Sequence, residues 1–228
     1  MLVNDWMHTP VIMIDAAESL ARAADLMMKN KISVLPVTSE NKLVGIITDR
    51  DLKRAAPSDI SMPDIKDIIF HLARLRVESV MSRNPITVPP DYTLEETGEI
   101  LLQKNISGCP VVTHDGELIG IITKNDLFRA LISVTGFPKR GVLFGFLLED
   151  RPGSIKEVTD VLRKYNARLL SVFATYARAP EGYRYAYIRA YRLDRATLLD
   201  LKTELANTAK LLYMVDLRDG RRETYATY

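Results

Sequence analysis

The chain has 228 residues, 47% of them apolar and 26% charged, with 31 Lys and Arg against 29 Asp and Glu. That near-balance gives no electrostatic reason to expect nucleic acid or an anionic membrane as a partner. The single cysteine, Cys109, excludes an intrachain disulfide, and His8, His71 and His114 lie too far apart to show metal-ligand spacing.

The N-terminus, MLVNDWMHTP, lacks a basic stretch leading into an apolar core, so a signal peptide is not expected. No apolar run approaches the roughly 18 residues of a membrane span. A soluble, cytoplasmic protein is the expectation. An internal repeat then organises the first half. One copy starts at Val3 and a second at Val77; Met7 matches Met81, Leu20 matches Leu94, Ile32 matches Ile106 and Pro36 matches Pro110. After one extra residue in the second copy, Gly45 matches Gly120, Thr48 matches Thr123 and Asp51 matches Asp126. Two copies are too few for a solenoid, so they are expected to pack on each other as one pseudo-symmetric domain.

In the first copy, Leu20, Ala23, Ala24, Met27 and Met28 recur at helical spacing, which predicts a helix over 19–29. A short strand follows at 34–37, and Pro36 inside it argues for an edge or an interruption. Glu40-Asn41 reads as a turn, 43–47 as a buried strand, and 49–55 as a helix with Thr48 near its N-cap. The second copy repeats this, with a helix over 94–103 and a turn at His114-Asp115-Gly116, where Asp-Gly is a hairpin signal. Between the copies, Pro57, Ser58, Asp59 and Pro63 mark a break, and Ile65, Ile68, Ile69 and Leu72 predict a connecting helix within 57–76.

The segments GIITDRD (45–51) and GIITKND (120–126) each deliver a hydroxyl and, three residues on, a carboxylate to the start of a helix. Backbone N–H groups point there, which suits an anionic ligand. An ionised Asp accepts only, so Asp51 or Asp126 can take both hydroxyls of a ribose. Thr48 and Thr123 can bond the same sugar or a phosphate oxygen, and Arg50 is a natural phosphate partner. Lys124 and Asn125 hold the corresponding places in the second copy. The plainer alternative is that Thr and Asp at this spacing simply cap the helix.

The repeated pattern of Gly, two apolar residues, Thr, two variable residues and Asp, following Val-Leu-Pro-Val and Cys-Pro-Val-Val, resembles a tandem cystathionine-β-synthase-type (CBS) pair over residues 1–134. The resemblance implies a disc with two clefts that take AMP, ADP, ATP or S-adenosylmethionine as regulatory ligands, with no cofactor required. It implies ribose contacts for Asp51 and Asp126 and supporting roles for Thr48 and Thr123. Adenine would lie near Val11, Pro36, Ile86 and Pro110. Cys109 departs from the larger apolar residue usual there.

After a linker at 135–140, the pattern changes. A strand at 142–148, a turn at 149–153, a helix led by Ser154 or Asp150, strands at 169–175 and 183–191, a helix over 194–206 and a strand at 211–215 make a β-α-β-β-α-β order. That order is the ferredoxin-like arrangement. Tyr183, Tyr185, Tyr187, Arg189 and Tyr191 share one face of the second long strand, as half-buried sheet residues or as stacking platforms. Together with LLEDRPGSIKEVTDVL (147–162), the order resembles the ACT family over 141–217. That implies dimerisation and a possible amino-acid site at Asp150, Arg151, Pro152, Gly153 and Ser154; a tight turn without a ligand is the alternative. Residues 218–228 read as a frayed tail.

The fold class is therefore α/β (α+β): a two-repeat CBS pair followed by a ferredoxin-like ACT domain. The combination, with TDRDLKRA (48–55), NPITVPPDYT (84–93) and ITKNDLFR (122–129), resembles the acetoin-utilisation B-type family of regulatory proteins. The expected activity is non-catalytic sensing in a homodimer, with an unidentified regulated protein as partner. A structural dimerisation protein with empty clefts is the alternative. Cys109 lacks a neighbouring His in sequence and reads as a small buried apolar residue rather than a nucleophile.

Overall fold

The structure, a computed structural model, describes residues 1–55 and 72–225. The connecting helix expected within 57–76 lies outside the described residues, except that 72–74 are helical. The chain divides into two compact units, Met1–Phe128 and Arg129–Tyr228. Among the described residues no helix is long and apolar enough to cross a membrane.

In the first unit, α1 (Leu20–Asn30) begins where the Ser19 hydroxyl accepts from the Arg22 amide at 3.2 Å, and it buries Leu20, Ala23 and Met27. Its counterpart in the second copy, α3 (Leu94–Gln103), starts with a full capping box. Thr93 Oγ1 accepts from the Glu96 amide at 3.1 Å, and the Glu96 carboxylate accepts from the Thr93 amide at 2.8 Å. The Thr93 hydroxyl also donates to that carboxylate at 2.8 Å, and the bonds from the Thr93 amide and hydroxyl hold the Glu96 carboxyl below its ordinary value. Strands β1 (Ile14–Asp15), β2 (Val34–Ser39), β3 (Lys42–Thr48) and β4 (Ser82–Arg83) form one sheet in that order. Helix α2 (Asp49–Ala55) follows β3 directly. The β2–β3 turn places Glu40 at φ 49° and Asn41 at φ 61°, the left-handed pair of a two-residue hairpin. The second copy pairs β5 (Gly108–Val112) with β6 (Leu118–Thr123), followed by α4 (Lys124–Val134). Its turn is wider: Gly116 donates to the Thr113 carbonyl at 2.9 Å, and only Gly116 has positive φ. The Asp-Gly pair thus closes a four-residue turn.

β2 lies between β1 and β3, so Pro36 is not on an edge. The second copy shows why proline is tolerated there. The ladder between β5 and Val88 begins at the Pro110 carbonyl, which accepts from the Val88 amide at 3.1 Å, while Val112 donates back to Val88 at 3.0 Å. The donor that the proline lacks would fall before that ladder starts.

Each copy is completed by the first residues of the other. Val77 and Glu78 donate to the Glu18 and Ala16 carbonyls, as Val3 and Asn4 donate to those of Tyr92 and Pro90. Ser82 and Arg83 pair with Ile46 and Gly45 on β3, and His8 exchanges backbone bonds with Ile121 on β6 at 2.9 and 3.2 Å. The core of the first copy accordingly contains Val77 and Met81 beside Leu20, Leu35 and Ile47. Glycine is required at the crossing points: a Cβ on Gly45 would stand 2.5 Å from the Met81 sulfur, and one on Gly120 would stand 2.5 Å from that of Met7.

The second unit is a five-stranded sheet of β7 (Val142–Glu149), β8 (Arg168–Thr175), β9 (Tyr183–Tyr191), β10 (Lys210–Asp216) and β11 (Arg221–Thr224), in the order β11-β10-β7-β9-β8. All its pairings are antiparallel. Helices α5 (Ser154–Lys164) and α6 (Leu198–Thr208) pack Val158, Leu162, Leu201 and Leu205 against Phe144, Phe146, Ile188 and Met214 of the sheet. The opposite face carries Tyr185, Tyr187 and Tyr213, whose rings stack at 6.5 Å spacing. Arg189 shares that face but is almost fully buried, with its guanidinium 5.6 Å from the Phe137 ring.

Three expectations need correction here. The α5 N-cap is Gly153 at φ 89°, not Ser154 or Asp150, because the turn needs a left-handed residue where only glycine is unstrained. Helix α6 starts at Leu198 rather than near 194, because the Asp194 carboxylate accepts from the Ala196 amide and diverts the chain into a turn. Residues 218–228 are not all frayed: Gly220 turns the chain at φ 77° and 221–224 return as β11. Lys202 clamps that strand through Glu223 at 2.6 Å.

Substituting Gly45→Ala should lower stability by about 1–3 kcal/mol through overpacking, measured by urea denaturation. Gly98→Ala, inside α3 where a Cβ meets Leu127 at 3.4 Å, should instead raise it by about 0.5–1 kcal/mol.

Candidate functional site

At the junction of β3 and α2, one oxygen of Asp51 accepts from the Thr48 amide at 2.9 Å and from the Thr48 hydroxyl at 2.6 Å. The other oxygen accepts from Arg54 at 2.8 Å. The second copy repeats the two threonine bonds, and Arg129 stands there at the place of Arg54. Asp126 takes the Thr123 amide at 2.9 Å and the Thr123 hydroxyl at 2.5 Å on one oxygen. Its other oxygen faces His8 Nε2 at 2.8 Å.

The capping alternative is therefore realised in both copies, on one carboxylate oxygen each. What the second copy adds at the other oxygen is a partner from the exchanged segment. Arg54 is a surface side chain, 72% exposed, bonding to its own helix three residues back. His8 arrives from the exchanged N-terminal segment and helps seal a carboxylate that is only 2% exposed. The Asp51 side chain is 12% exposed, but its arginine partner stands in water and can be solvated when it swings away, so a ligand that replaces this one bond can take the Asp51 oxygen. The Asp126 oxygen is not open in this way.

The helix starts offer less to an anion than the sequence suggests. The Asp49 amide donates to the Ser33 carbonyl at 3.0 Å, the Lys124 amide to that of Ser107 at 2.9 Å, and the Asp51 amide to the Thr48 hydroxyl at 3.3 Å. Cationic side chains must supply what these occupied amides do not.

A cavity of about 320 Å³ opens beside Asp51. Val34, Ile46, Ile86 and Ile106 supply apolar walls; Thr48, Asp49, Arg50, Asp51 and Arg54 line one end. Arg83, Asn84, Asn105 and Ser107, all from the second copy, close it. The volume falls in the range of small-ligand sites, about 300–1,000 Å³. Asn84 at φ 49° and Asn105 at φ 51° hold left-handed backbone at the rim, a conformation asparagine tolerates.

Thr48, Arg50, Asp51 and Ile86 are thus brought together in one cleft. Pro36 and Pro110 are not: both are buried within β2 and β5. Val34, the first residue of β2, and Ile106, just ahead of β5, form the walls instead, because the cavity opens at the starts of these strands. Val11 occupies the second-copy equivalent of the Pro85 position, with Thr123, Lys124, Asn125 and Asp126 at the equivalent of the first cleft's polar end. Cys109 is fully buried in β5 opposite Ile122, outside the cavity lining, and burial pushes its thiol up to about 12.

In the second unit, Asp150, Arg151, Pro152 and Gly153 form an exposed turn and Ser154 is buried beneath it. Arg151 is committed to Glu157 through two bonds of 2.7 Å and to Glu149 at 3.1 Å, which raises its basicity and lowers that of Glu157. The Ser154 hydroxyl accepts from Arg184 at 3.0 Å, and Asp150 accepts from the Tyr176 hydroxyl at 3.1 Å. These residues hold the turn together.

Arg54, Arg83, Asn84, Asn105 and His8 were not singled out from the sequence. Arg54 was readable as a cation three residues after Asp51 on one helix. The others required knowing that the N-terminal segments of the copies are exchanged.

The sequence pattern of the CBS domain family matches residues 3–58 and 77–133. A CBS domain-containing protein of Dictyostelium discoideum is 34% identical over 134 residues, spanning 58% of this chain and 92% of that protein. Among solved structures, CBSX2 of Arabidopsis thaliana is 30% identical with a TM-score of 0.50, covering 57% of this chain and 94% of its own. CBSX2 has also been crystallised in complex with AMP. An acetoin utilization protein of Vibrio cholerae is 25% identical with a TM-score of 0.50, covering 61% of this chain and 96% of its own.

Two outcomes follow from this geometry. His8→Ala should destabilise the fold by about 1–3 kcal/mol by stripping a partner from a buried carboxylate, while Ser82→Ala at the equivalent exposed position should change little; thermal unfolding compares them. The Cys109 thiol should resist an aromatic disulfide reagent at pH 8 in the folded protein and react once denaturant is added.

Proposed function

We propose that this chain, which belongs to the CBS domain family, is a non-catalytic regulatory protein whose first cleft binds an adenosine-bearing ligand. The observation that carries this reading is the single releasable oxygen of Asp51 facing a cavity with apolar walls. A ribose offers two adjacent hydroxyls, and displacing Arg54 frees the oxygen that would accept them. Thr48 keeps the other oxygen in place and so fixes the direction of the carboxylate. The base then lies between Val34, Ile46, Ile86 and Ile106. CBSX2, similar over most of its length, has been crystallised with AMP, which supports an adenine nucleotide as the class; S-adenosylmethionine shares the same nucleoside.

A different role is favoured for the second copy by one observation, the His8–Asp126 pair. There the Thr-x-x-Asp unit serves as a structural lock, and ligand occupancy is unequal between the clefts. The second unit fits an ACT-like domain by its strand order. Its role would be dimerisation, with an amino acid at the 150–154 turn only if Arg151 or Arg184 exchanges its present partners. Regulation would pass from cleft occupancy to a partner protein through the difference in ligand affinity between two arrangements of the pair. A place in the cytoplasm is proposed from the N-terminal sequence and the lack of a long apolar run, and relation to acetoin utilisation from the family resemblance.

Asp51→Ala should weaken nucleotide binding by about 1.5–3 kcal/mol, the worth of a hydrogen bond to a charged group. A 2′-deoxynucleotide should lose a comparable amount on the wild type, read by titration calorimetry. Equal affinity for the ribo and deoxy forms would remove Asp51 from the sugar. At about 100 times its dissociation constant, the ligand should stabilise the fold by about 2.7 kcal/mol.

A further inference from the structure

The first cleft carries more positive charge than its fold requires. Arg50, Arg54 and Arg83 line it beside Asp49 and Asp51. Asp49 is paired with Lys53 at 3.2 Å and Asp51 with Arg54 at 2.8 Å. The Arg50 and Arg83 side chains make no hydrogen bond or ion pair among the described residues, and both residues are exposed and line the cavity. The second copy shows that this charge is not structural. Asn125 stands at the place of Arg50 and Thr9 at that of Arg83, yet the same strand, helix and Thr–Asp unit form there.

Resting on the reading of this cleft as an adenosine site, we infer that it selects ligands carrying phosphate, an AMP, ADP or ATP, over the bare nucleoside and over S-adenosylmethionine. When the ribose takes the Asp51 oxygen, Arg54 loses its carboxylate partner. A phosphate restores one, and the planar guanidinium groups of Arg50 and Arg83 bind it in the same way. Adenosine displaces Arg54 and returns nothing. S-adenosylmethionine brings one carboxylate but also a sulfonium and an ammonium group, so its net positive charge beside three guanidinium groups gains less than the net negative charge of a nucleotide. The cleft is open to solvent, so this preference is screened by salt.

Titration calorimetry on the full chain at low salt, with adenosine, AMP, ADP, ATP and S-adenosylmethionine, tests this. AMP should bind at least about tenfold more tightly than adenosine, from one or more charge-assisted bonds. S-adenosylmethionine should bind no better than adenosine. The surface variant carrying Arg50→Gln and Arg83→Gln should bring AMP close to adenosine, and added salt should weaken AMP more than adenosine. If adenosine matches AMP, or S-adenosylmethionine binds tightest, the phosphate assignment is wrong while the adenosine site stands. If none of the five binds, the adenosine reading itself fails and takes this inference with it.

Discussion

The reciprocal exchange of N-terminal segments is the constraint on which the first unit depends. Neither copy owns all of its own core: Val77 and Met81 sit in the first copy, while His8 exchanges backbone bonds with β6 of the second. The exchange forces a close crossing at two glycines, where the thioether of Met81 or Met7 occupies the space of a side chain. It also builds the cleft. The cavity beside Asp51 has one wall from β3 and α2 and the other from residues 82–86 and 105–108. A ligand there touches both copies at once, so its binding energy bears on how they are held together.

One local motif serves two ends. Thr48–Asp51 and Thr123–Asp126 are the same capping unit, with the amide and hydroxyl of the threonine on one carboxylate oxygen. The remaining oxygen decides the rest. Held by an exposed arginine of its own helix, it is available to a sugar; held by a histidine from the exchanged segment and shut away from water, it braces the fold. Equivalent sequence in two copies thus does not imply equivalent chemistry, because the partner comes from outside the repeat motif.

The second unit is built on a different principle, a sheet covered by helices on one face. Its central strands β7 and β9 bury Phe144, Phe146 and Ile188 against α5 and α6, while tyrosines stack on the other side. The strand β11 extends this sheet beyond the four strands of the β-α-β-β-α-β order. A short polar stretch with two adjacent arginines looks frayed in isolation; it is ordered because Gly220 makes the turn and the main chain of β10 offers open hydrogen bonds.

Much of the architecture was legible from residues alone, since it rests on local physics. Helical spacing placed α1 and α3 within a residue of their observed limits, and the Glu40-Asn41 pair marked its hairpin because left-handed backbone favours such residues. The Thr-x-x-Asp units were legible too, as was the ambiguity between cap and ligand contact. Three things were decided by the tertiary structure. Pro36 and Pro110 lie inside their strands while the cavity is lined by Val34 and Gly108 where those strands begin, because the cleft forms only where the strand starts of both copies meet. Arg83, Asn84 and Asn105 reach the cleft of the other copy, because exchange between repeats leaves no trace in either repeat's own pattern. The fate of each carboxylate's second oxygen turned on a neighbour far away in the chain, and only folding brings His8 to Asp126 while leaving Asp51 to an arginine one turn along its own helix.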